Sequence, residues 1–188
     1  MIDKLMLSDQ ELVKACLSGN VEAYRKIMER YSGKAMALAL NMLRHRQDAE
    51  DVCQEAFVKA FHNLPKYDPR QSFKNWFYTV LYRRCLDHMR KRKRYHTFMV
   101  NFQGEKRRDA VPEGLNPTQN TDLDPKILEG LSAKERMTLV LWANEGYSGK
   151  EIASVLRCSP STARVNLFKA RKKLKALLEG EHVAMSNG

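Results

Sequence analysis

At 188 residues, the chain has room for one ordinary domain or two small ones, and none of its apolar runs is long enough to cross a bilayer. Its hydrophobic content of 43% is low for a globular chain and its charged content of 29% is slightly high, which favours small helical domains with thin cores. The net charge of +11 favours a polyanionic partner, with nucleic acid ahead of an anionic membrane surface.

The N-terminal segment "MIDKLMLSDQELVKA" lacks a basic start followed by an apolar core. We therefore expect no signal peptide, no membrane insertion and a cytoplasmic location. The cysteines are far apart in sequence, form no CxxC pair and have no closely spaced histidine. We expect no metal site and no cofactor, and we place Cys16, Cys53, Cys85 and Cys158 in helix cores.

Apolar residues recur at helical spacing, and neither a strand pair nor an internal repeat is visible. Ser-x-x-Glu capping boxes at Ser8, Ser132 and Ser148 mark three helix starts. The predicted helices begin after Ser8 and then cover about 21–43, 47–62, 73–94, 134–144, 150–156 and 160–178. The last ten residues carry no anchoring pattern, so we expect them to fray.

Composition changes between His96 and Pro125, a stretch that holds three of the six prolines and has no sustained periodicity. It predicts a flexible linker between an N-terminal domain at 8–95 and a C-terminal domain at 126–179. As a coil, the linker would span on the order of 30 Å, so two lobes could contact well separated sites on one partner. The predicted fold is all-α, with two small helical domains and a helix-turn-helix in the second.

The helix-turn-helix is predicted from "SGKEIASVLRCSPSTARVNLFKARKKL", residues 148–174. A short helix is followed by the tight link "RCS", and Pro160 then starts a second helix with Ser159 as its N-cap. At the start of that helix, an arginine can pair with guanine and an asparagine with adenine. The predicted DNA contacts are Ser161, Thr162, Arg164, Val165, Asn166, Phe168, Lys169, Arg171 and Lys172.

The charge of this second helix also points to nucleic acid. Its residues 164–175 include six cations and no acid. A run of one sign is mildly destabilising in an isolated helix but is favourable beside phosphates, where we place the later cations. A charged surface helix pair without a nucleic-acid role is the alternative.

Two earlier segments carry further signals. In "DAEDVCQEAF" an acidic cluster with one glutamine interrupts a basic chain, although acids early in a helix also stabilise its positive end. In "FKNWFYTVLYRRCLDHMRKRKR" aromatic residues precede cations, a combination that suits unstacked bases. Phe73, Phe77 and Val80 are expected in the core of that segment, and Trp76 fits either role.

These segments, taken in order, resemble bacterial sigma factors of the extracytoplasmic-function type. The quoted segments "DAEDVCQEAFVKAF" and "FKNWFYTVLYRRCLDHMRKRKR", with "AYRKIMERY" before them, are similar to successive parts of the N-terminal sigma domain. The stretch "LSAKERMTLVLWANEGYSGKEIASVLRCSPSTARVNLFKARKKLKALL" is similar to the C-terminal domain. The resemblance covers about residues 8–178, apart from the linker.

The resemblance implies a non-enzymatic initiation subunit of RNA polymerase. The N-terminal domain would dock on the clamp helices of the largest polymerase subunit and then open and read the −10 element, and the C-terminal domain would read the −35 element. The implied polymerase contacts are Asp48, Glu50, Asp51, Gln54 and Glu55. The implied −10 and melting residues are Trp76, Tyr78, Tyr82, Arg83, Arg84, His88, Arg90, Lys91 and Arg92. An anti-sigma protein is implied as a further partner.

The sequence departs from the family pattern at several positions. Arg83 stands where the family often has asparagine, and Arg157 stands where the turn often has glycine. An arginine at that turn position is strained if its φ is positive. "STARVN" differs from the usual reading segment, so the resemblance does not specify the −35 sequence.

Two other classes of protein remain as alternatives. A stand-alone helix-turn-helix regulator that binds operators would carry an α/β receiver in its first half, where no alternating βα pattern is found. A DNA-processing enzyme would need a nucleophile with clustered acids or arginines around it, and none of the familiar catalytic motifs occurs.

Overall fold

A computed structural model of the protein describes residues 7–103 and 130–186. Within these ranges the chain is helical and contains no strand, so the all-α prediction is confirmed. The helices are α1 (Asp9–Leu17), α2 (Val21–Leu43), α3 (Arg46–Asn63), a 3₁₀ turn (Leu64–Lys66), α4 (Phe73–Gln103), α5 (Ala133–Glu145), α6 (Gly149–Leu156) and α7 (Pro160–Ser186).

Local signals explain most of the helix starts. Ser8, Ser132 and Ser148 each form the reciprocal capping box, in which the serine side chain accepts from the third helical amide and the glutamate accepts from the serine amide. Asn20 caps α2 through a bond from the Ala23 amide to its side chain.

Two helices extend beyond their predicted ends. α4 continues to Gln103 instead of ending near Arg94, so residues 96–103 of the predicted linker are helical. Neither glycine nor proline interrupts the chain there before Gly104. The rest of the predicted linker that precedes residue 126 lies outside the described residues. α7 continues to Ser186, past the predicted end near residue 178 and into the segment expected to fray.

The first lobe consists of α1 to α4 around an aromatic and aliphatic core. Ile27 of α2 and Phe77 of α4 are completely buried, and the Phe57 ring of α3 stacks on Phe77 with centroids 4.7 Å apart. The Tyr24 hydroxyl donates to the Phe57 carbonyl at 2.5 Å, which fixes α2 against α3. α4 is thereby held along the surfaces of α2 and α3.

The second lobe consists of α5, α6 and α7. Ile152 and Val155 of α6 are fully buried, and Ala163 and Ala170 place the inner face of α7 against them and against α5. Small residues on that face allow the close approach that a helix-turn-helix requires.

The two lobes pack directly against each other, and one continuous hydrophobic cluster spans both. α2 contacts α5, and α4 contacts α6. The buried Arg136 of α5 donates through Nη1 to the Met42 carbonyl of α2 at 2.7 Å. The Tyr78 ring of α4 lies 6.1 Å from the Tyr147 ring of the second lobe. This interface determines which of the predicted site residues reach the surface.

Candidate functional site

The turn between α6 and α7 has the geometry predicted for a helix-turn-helix. Arg157 ends α6 in the left-handed conformation with φ 49° and ψ 56°, and the Cys158 amide donates back to the Ala153 carbonyl at 3.0 Å. Ser159 then caps α7, because its Oγ accepts from the Thr162 amide at 3.1 Å. The expected strain at Arg157 is therefore present in this turn.

α7 presents one exposed stripe formed by residues three or four apart, which we call the reading face. It consists of Ser161, Arg164, Val165, Phe168 and Lys172. The Arg164 stem packs over Gly149 at the start of α6, where its Cγ lies 3.6 Å from the position of a Cβ built on that glycine. The reading face therefore lies against the start of α6.

Two of the predicted base contacts, Thr162 and Asn166, lie outside the reading face. The Thr162 hydroxyl lies 2.8 Å from Ser159 Oγ and belongs to the cap of α7. Asn166 is half-buried, and its Nδ2 is enclosed with no hydrogen-bond partner among the described residues. Thr162 is therefore exposed but engaged in the helix cap, whereas the Asn166 amide nitrogen is not accessible in this conformation.

The cations along α7 divide into two kinds. The Arg171 guanidinium lies 5.2 Å from the centre of the Trp142 ring of α5, which orients it by a cation–π contact. Lys173 Nζ bonds to Glu135 at 2.8 Å and to the Gly130 carbonyl at 3.0 Å. Lys169 and Lys172 are exposed and form no ion pair among the described residues, so they are available to phosphates.

The aromatic residues expected to capture bases lie mainly inside the molecule. Tyr78 is completely buried and Tyr82 is 4% exposed. Burial raises the pKa of both phenols, and for Tyr82 it does so to about 12. Trp76 is half-buried and packs on Tyr67 at 5.2 Å. Tyr78 and Tyr82 can meet a base only after the second lobe has moved away from α4.

The distal half of α4 carries the exposed aromatic residues that sequence analysis did not select. Tyr95 is 66% exposed and lies just past the predicted helix end near Arg94, and Phe98 is 62% exposed and lies within the segment predicted to be linker. Phe98 also lines an open cavity of about 570 Å³ together with Arg90, Lys93 and Arg94. Their helical spacing could have identified these residues in the sequence. It was missed because the predicted helix ended near Arg94, before the helical segment that carries them.

Some of the other cations of α4 form ion pairs within the helix, and others are exposed. Arg84 and Arg90 pair with the carboxylate of Asp87 at 3.1 and 3.3 Å. Arg83 and Lys91 are exposed. A second cavity, of about 230 Å³, opens between the lobes, where Arg83 and Arg90 face Lys134 and Arg157 across the cleft.

The acidic segment of α3 forms an exposed strip, which we call the α3 outer face. Its members are Asp51, Gln54, Glu55, Val58 and Phe61, spaced three or four residues apart. Val58 is 58% exposed and Phe61 41%. These two apolar residues were not predicted, and their helical spacing of seven and ten residues after Asp51, about two and three turns, was the signal that would have found them.

Three of the predicted polymerase contacts make intramolecular bonds: Asp48, Glu50 and Asp51, the last through a bond from Gln47 Nε2 at 3.4 Å. Asp48 Oδ2 lies 3.2 Å from His88 Nε2 and 3.4 Å from Arg92 Nη1, which ties the start of α3 to α4. Glu50 accepts from Arg46 Nε at 2.8 Å. Asp48 is thus the point at which the predicted polymerase surface and the predicted −10 surface meet.

Two other features are absent from the part of the chain that the structure describes. In residues 7–103 and 130–186, no group of three or more His, Cys, Asp or Glu side chains is arranged to hold a metal ion. Across the same residues, no helix combines the length and apolarity needed to span a membrane.

Two family models match the chain, one in each lobe. The model for Sigma-70 region 2 matches residues 27–95, and the model for Sigma-70 region 4 matches residues 125–174. The first match includes the α3 outer face and most of α4. The second includes the whole helix-turn-helix as far as Leu174.

Curated sigma factors are similar over nearly the full length of the chain. The RNA polymerase sigma-H factor of Pseudomonas aeruginosa is 25% identical over 181 residues, which are 91% of this chain and 94% of that protein. The ECF RNA polymerase sigma factor SigW of Bacillus subtilis is 26% identical over 177 residues, 88% of this chain and 94% of that one. The ECF RNA polymerase sigma-E factor of Escherichia coli is 26% identical over 179 residues, with 89% and 93% covered.

Two solved structures share the fold. The structure of CnrH in complex with the cytosolic domain of CnrY has a TM-score of 0.67 and 27% identity, and covers 92% of this chain and 97% of that one. The sigma factor RpoE in complex with the anti-sigma factor NepR from Bartonella quintana has a TM-score of 0.68 and 25% identity, covering 83% and 96%.

Proposed function

This chain belongs to the sigma-70 family of RNA polymerase sigma factors, in its extracytoplasmic-function group, and we propose that separate surfaces of its lobes divide the steps of initiation. The α3 outer face binds the clamp helices of the largest polymerase subunit. The reading face of α7 recognises the −35 element in duplex form. The aromatic and cationic surface of α4 captures the −10 element.

Family membership decides between the alternatives raised by the sequence. The chain is a polymerase-associated sigma factor, with core RNA polymerase and promoter DNA as partners, and not a stand-alone operator-binding regulator. Sigma factors are non-catalytic initiation factors, so the chain is not an enzyme. The free energy for strand opening then comes from binding, to which stacking contributes about 1–3 kcal/mol per captured base.

The observation that carries the division of labour is the contrast between the two exposed helical faces. The α3 outer face offers carboxylates beside apolar side chains, a composition suited to a protein partner. The reading face and the residues beside it on α7 carry cations without an acid, which suits a phosphate backbone. One helix is therefore matched to protein and the other to DNA.

Capture of the −10 element requires the lobes to separate. Tyr78 and Tyr82 are covered by the second lobe, whereas Tyr95 and Phe98 are exposed on the same helix. We propose that the exposed pair makes the first aromatic contact with an unpaired strand. Tyr78 and Tyr82 become available when polymerase binding draws the lobes apart. Arg83 and Arg90, which line the cleft between the lobes, are exposed further by that movement.

An anti-sigma protein and a cytoplasmic site of action complete the proposal. The likeness to a sigma factor solved with its anti-sigma factor supports a partner of this kind. A protein that works on core RNA polymerase is expected to act where transcription takes place, which supports the cytoplasm.

Arg164→Ala tests the assignment of the reading face. Arg164 is exposed on α7, so we expect the variant to fold and to bind core polymerase with unchanged affinity. It should change which promoters a pool of genomic fragments yields, because one bidentate base contact contributes about 1–3 kcal/mol of discrimination. Loss of polymerase affinity with unchanged promoter choice would contradict the assignment.

A further inference from the structure

The reading face contains an exposed apolar pair amid charged residues. Val165 is 49% exposed and Phe168 68%, although both belong to a helix whose other exposed side chains are mainly cationic. They are three residues apart and therefore adjacent on the helix surface. The apolar residues that hold α7 in place, Ala163 and Ala170, lie on the opposite side and are buried. Val165 and Phe168 therefore contribute little to packing.

The position of Asn166 limits what the reading face can recognise. Its Nδ2 is enclosed in the protein, so the amide that would pair with adenine does not extend toward a base. The reading face is left with a guanidinium, a hydroxyl, an ammonium and two apolar side chains. Of these, only the apolar pair and Arg164 can discriminate strongly between base pairs.

We propose that Val165 and Phe168 are specificity residues that recognise the C5-methyl groups of thymines in the −35 element, beside a guanine contacted by Arg164. In the major groove of DNA the thymine methyl is the apolar group presented at the base edges. The proposal rests on the proposed function of α7 as the −35 reader. It adds the base chemistry that resemblance to the family did not supply.

Charge favours DNA over protein as the occupant of this apolar pair. Arg164, Lys169 and Lys172 surround it and are exposed, and α7 carries no acid between residues 164 and 175. A protein partner would have to bury these cations against its own surface, whereas a duplex provides a phosphate row on each side of the groove. Val165 and Phe168 also lie on the same side of the helix as Arg164 and Lys172, so one groove could contact all of them.

The test removes only the methyl group. Core polymerase reconstituted with the full-length chain selects duplexes from a random pool, and the selected −35 elements are resynthesised with deoxyuridine in place of single thymines. At one or two positions we expect binding to weaken about fourfold, the value of burying one methyl group. The same substitution outside the two promoter elements serves as the control and should leave affinity unchanged.

Two variants connect the methyl effect to the residues. Val165→Ala and Phe168→Ala should each bind thymine and uracil versions of the sensitive position with nearly equal affinity, since the contacting side chain has been removed. Val21→Ala, a change at an apolar residue of α2 that is 70% exposed, should retain the wild-type ratio. Circular dichroism confirms that all three variants fold.

The possible results of these experiments separate methyl recognition from the proposed function. Sequence-selective binding that is indifferent to uracil at every position would overturn methyl recognition while leaving the −35 role intact. Loss of polymerase affinity in Phe168→Ala, with the thymine-to-uracil ratio unchanged, would overturn it in favour of a protein contact. Failure of the holoenzyme to select any sequence would instead contradict the proposed function itself.

Discussion

Lys74 of α4 and Glu145 of α5 form an ion pair between the two lobes, with Nζ 2.7 Å from the carboxylate oxygen. The Glu145 side chain is only 6% exposed, and Lys34 of α2 approaches the same oxygen at 3.7 Å. Lys74 also lies over the Tyr147 ring, 4.8 Å from its centre. Charge and aromatic contacts thus hold the second lobe over the buried Tyr78.

Glu145→Gln should weaken this contact and shift the protein toward a more extended form. Removing one partner of a mostly buried pair leaves Lys74 and Lys34 facing each other without their anion. We expect a larger radius of gyration in small-angle scattering. Binding to single-stranded DNA should also tighten, because Tyr78 and Tyr82 become accessible.

Glu29→Gln is the matched control for this variant. Among the described residues Glu29 pairs with Arg25 alone, on the surface of α2, and its side chain is 59% exposed. The control should leave both the radius of gyration and DNA affinity unchanged. Equal behaviour of the two variants would mean that Glu145 does not hold the lobes together.

The helix starts could be predicted because they depend on neighbours in sequence. Ser132 and Glu135 are three residues apart and cap α5 wherever that helix packs. The burial of Tyr78 and Tyr82 could not be predicted in this way, because it depends on packing against α5 and α6, which lie more than fifty residues later in the chain. Asn166 lies between these two cases. It stands three residues after Ala163 and four before Ala170, and both alanines face the core, so helical spacing alone could have indicated its half-buried position.

Replacing Asp51 and Glu55 together by alanine should weaken core-polymerase binding about tenfold, since two exposed carboxylates of the α3 outer face are lost. A fluorescence titration with sigma-free core enzyme measures the change. Glu22→Ala with Glu29→Ala removes the same charge from α2 and should have no effect. An unchanged affinity for the Asp51 and Glu55 double variant would remove α3 from the polymerase interface.

Lys172 and Lys173 are adjacent in sequence but should respond differently to replacement. Lys172 is exposed and faces the same side as Arg164, so Lys172→Ala should reduce the salt dependence of duplex binding by about one unit of slope. Lys173 is bonded to Glu135, so Lys173→Ala should lower thermal stability and leave that slope unchanged. Identical slopes for the two variants would contradict this assignment of the α7 cations.

Arg157→Gly should stabilise the protein because it relieves the left-handed strain at the end of α6. Removing the strain stabilises the folded state by about 1–2 kcal/mol. Glycine also gives the unfolded chain more conformational entropy, which lowers stability by about 0.5–1 kcal/mol, so the net change is favourable. A rise of a few degrees in Tm is expected by calorimetry.

Gly146→Ala provides the opposite control. It introduces a Cβ at φ 65°, where no atom lies within 4 Å of the added group, so only backbone strain changes. Its Tm should fall. A fall in Tm for Arg157→Gly would show that the Arg157 side chain stabilises the turn by more than its backbone strain costs.

In-vitro transcription with core RNA polymerase freed of other sigma factors tests the central claim most directly. With a pool of genomic fragments as template, the protein should produce transcripts that begin at discrete sites, and Arg164→Ala should change which sites are used. Tight binding of the protein alone to duplex DNA, with no protein-dependent start site on any fragment, would contradict its assignment as a sigma factor.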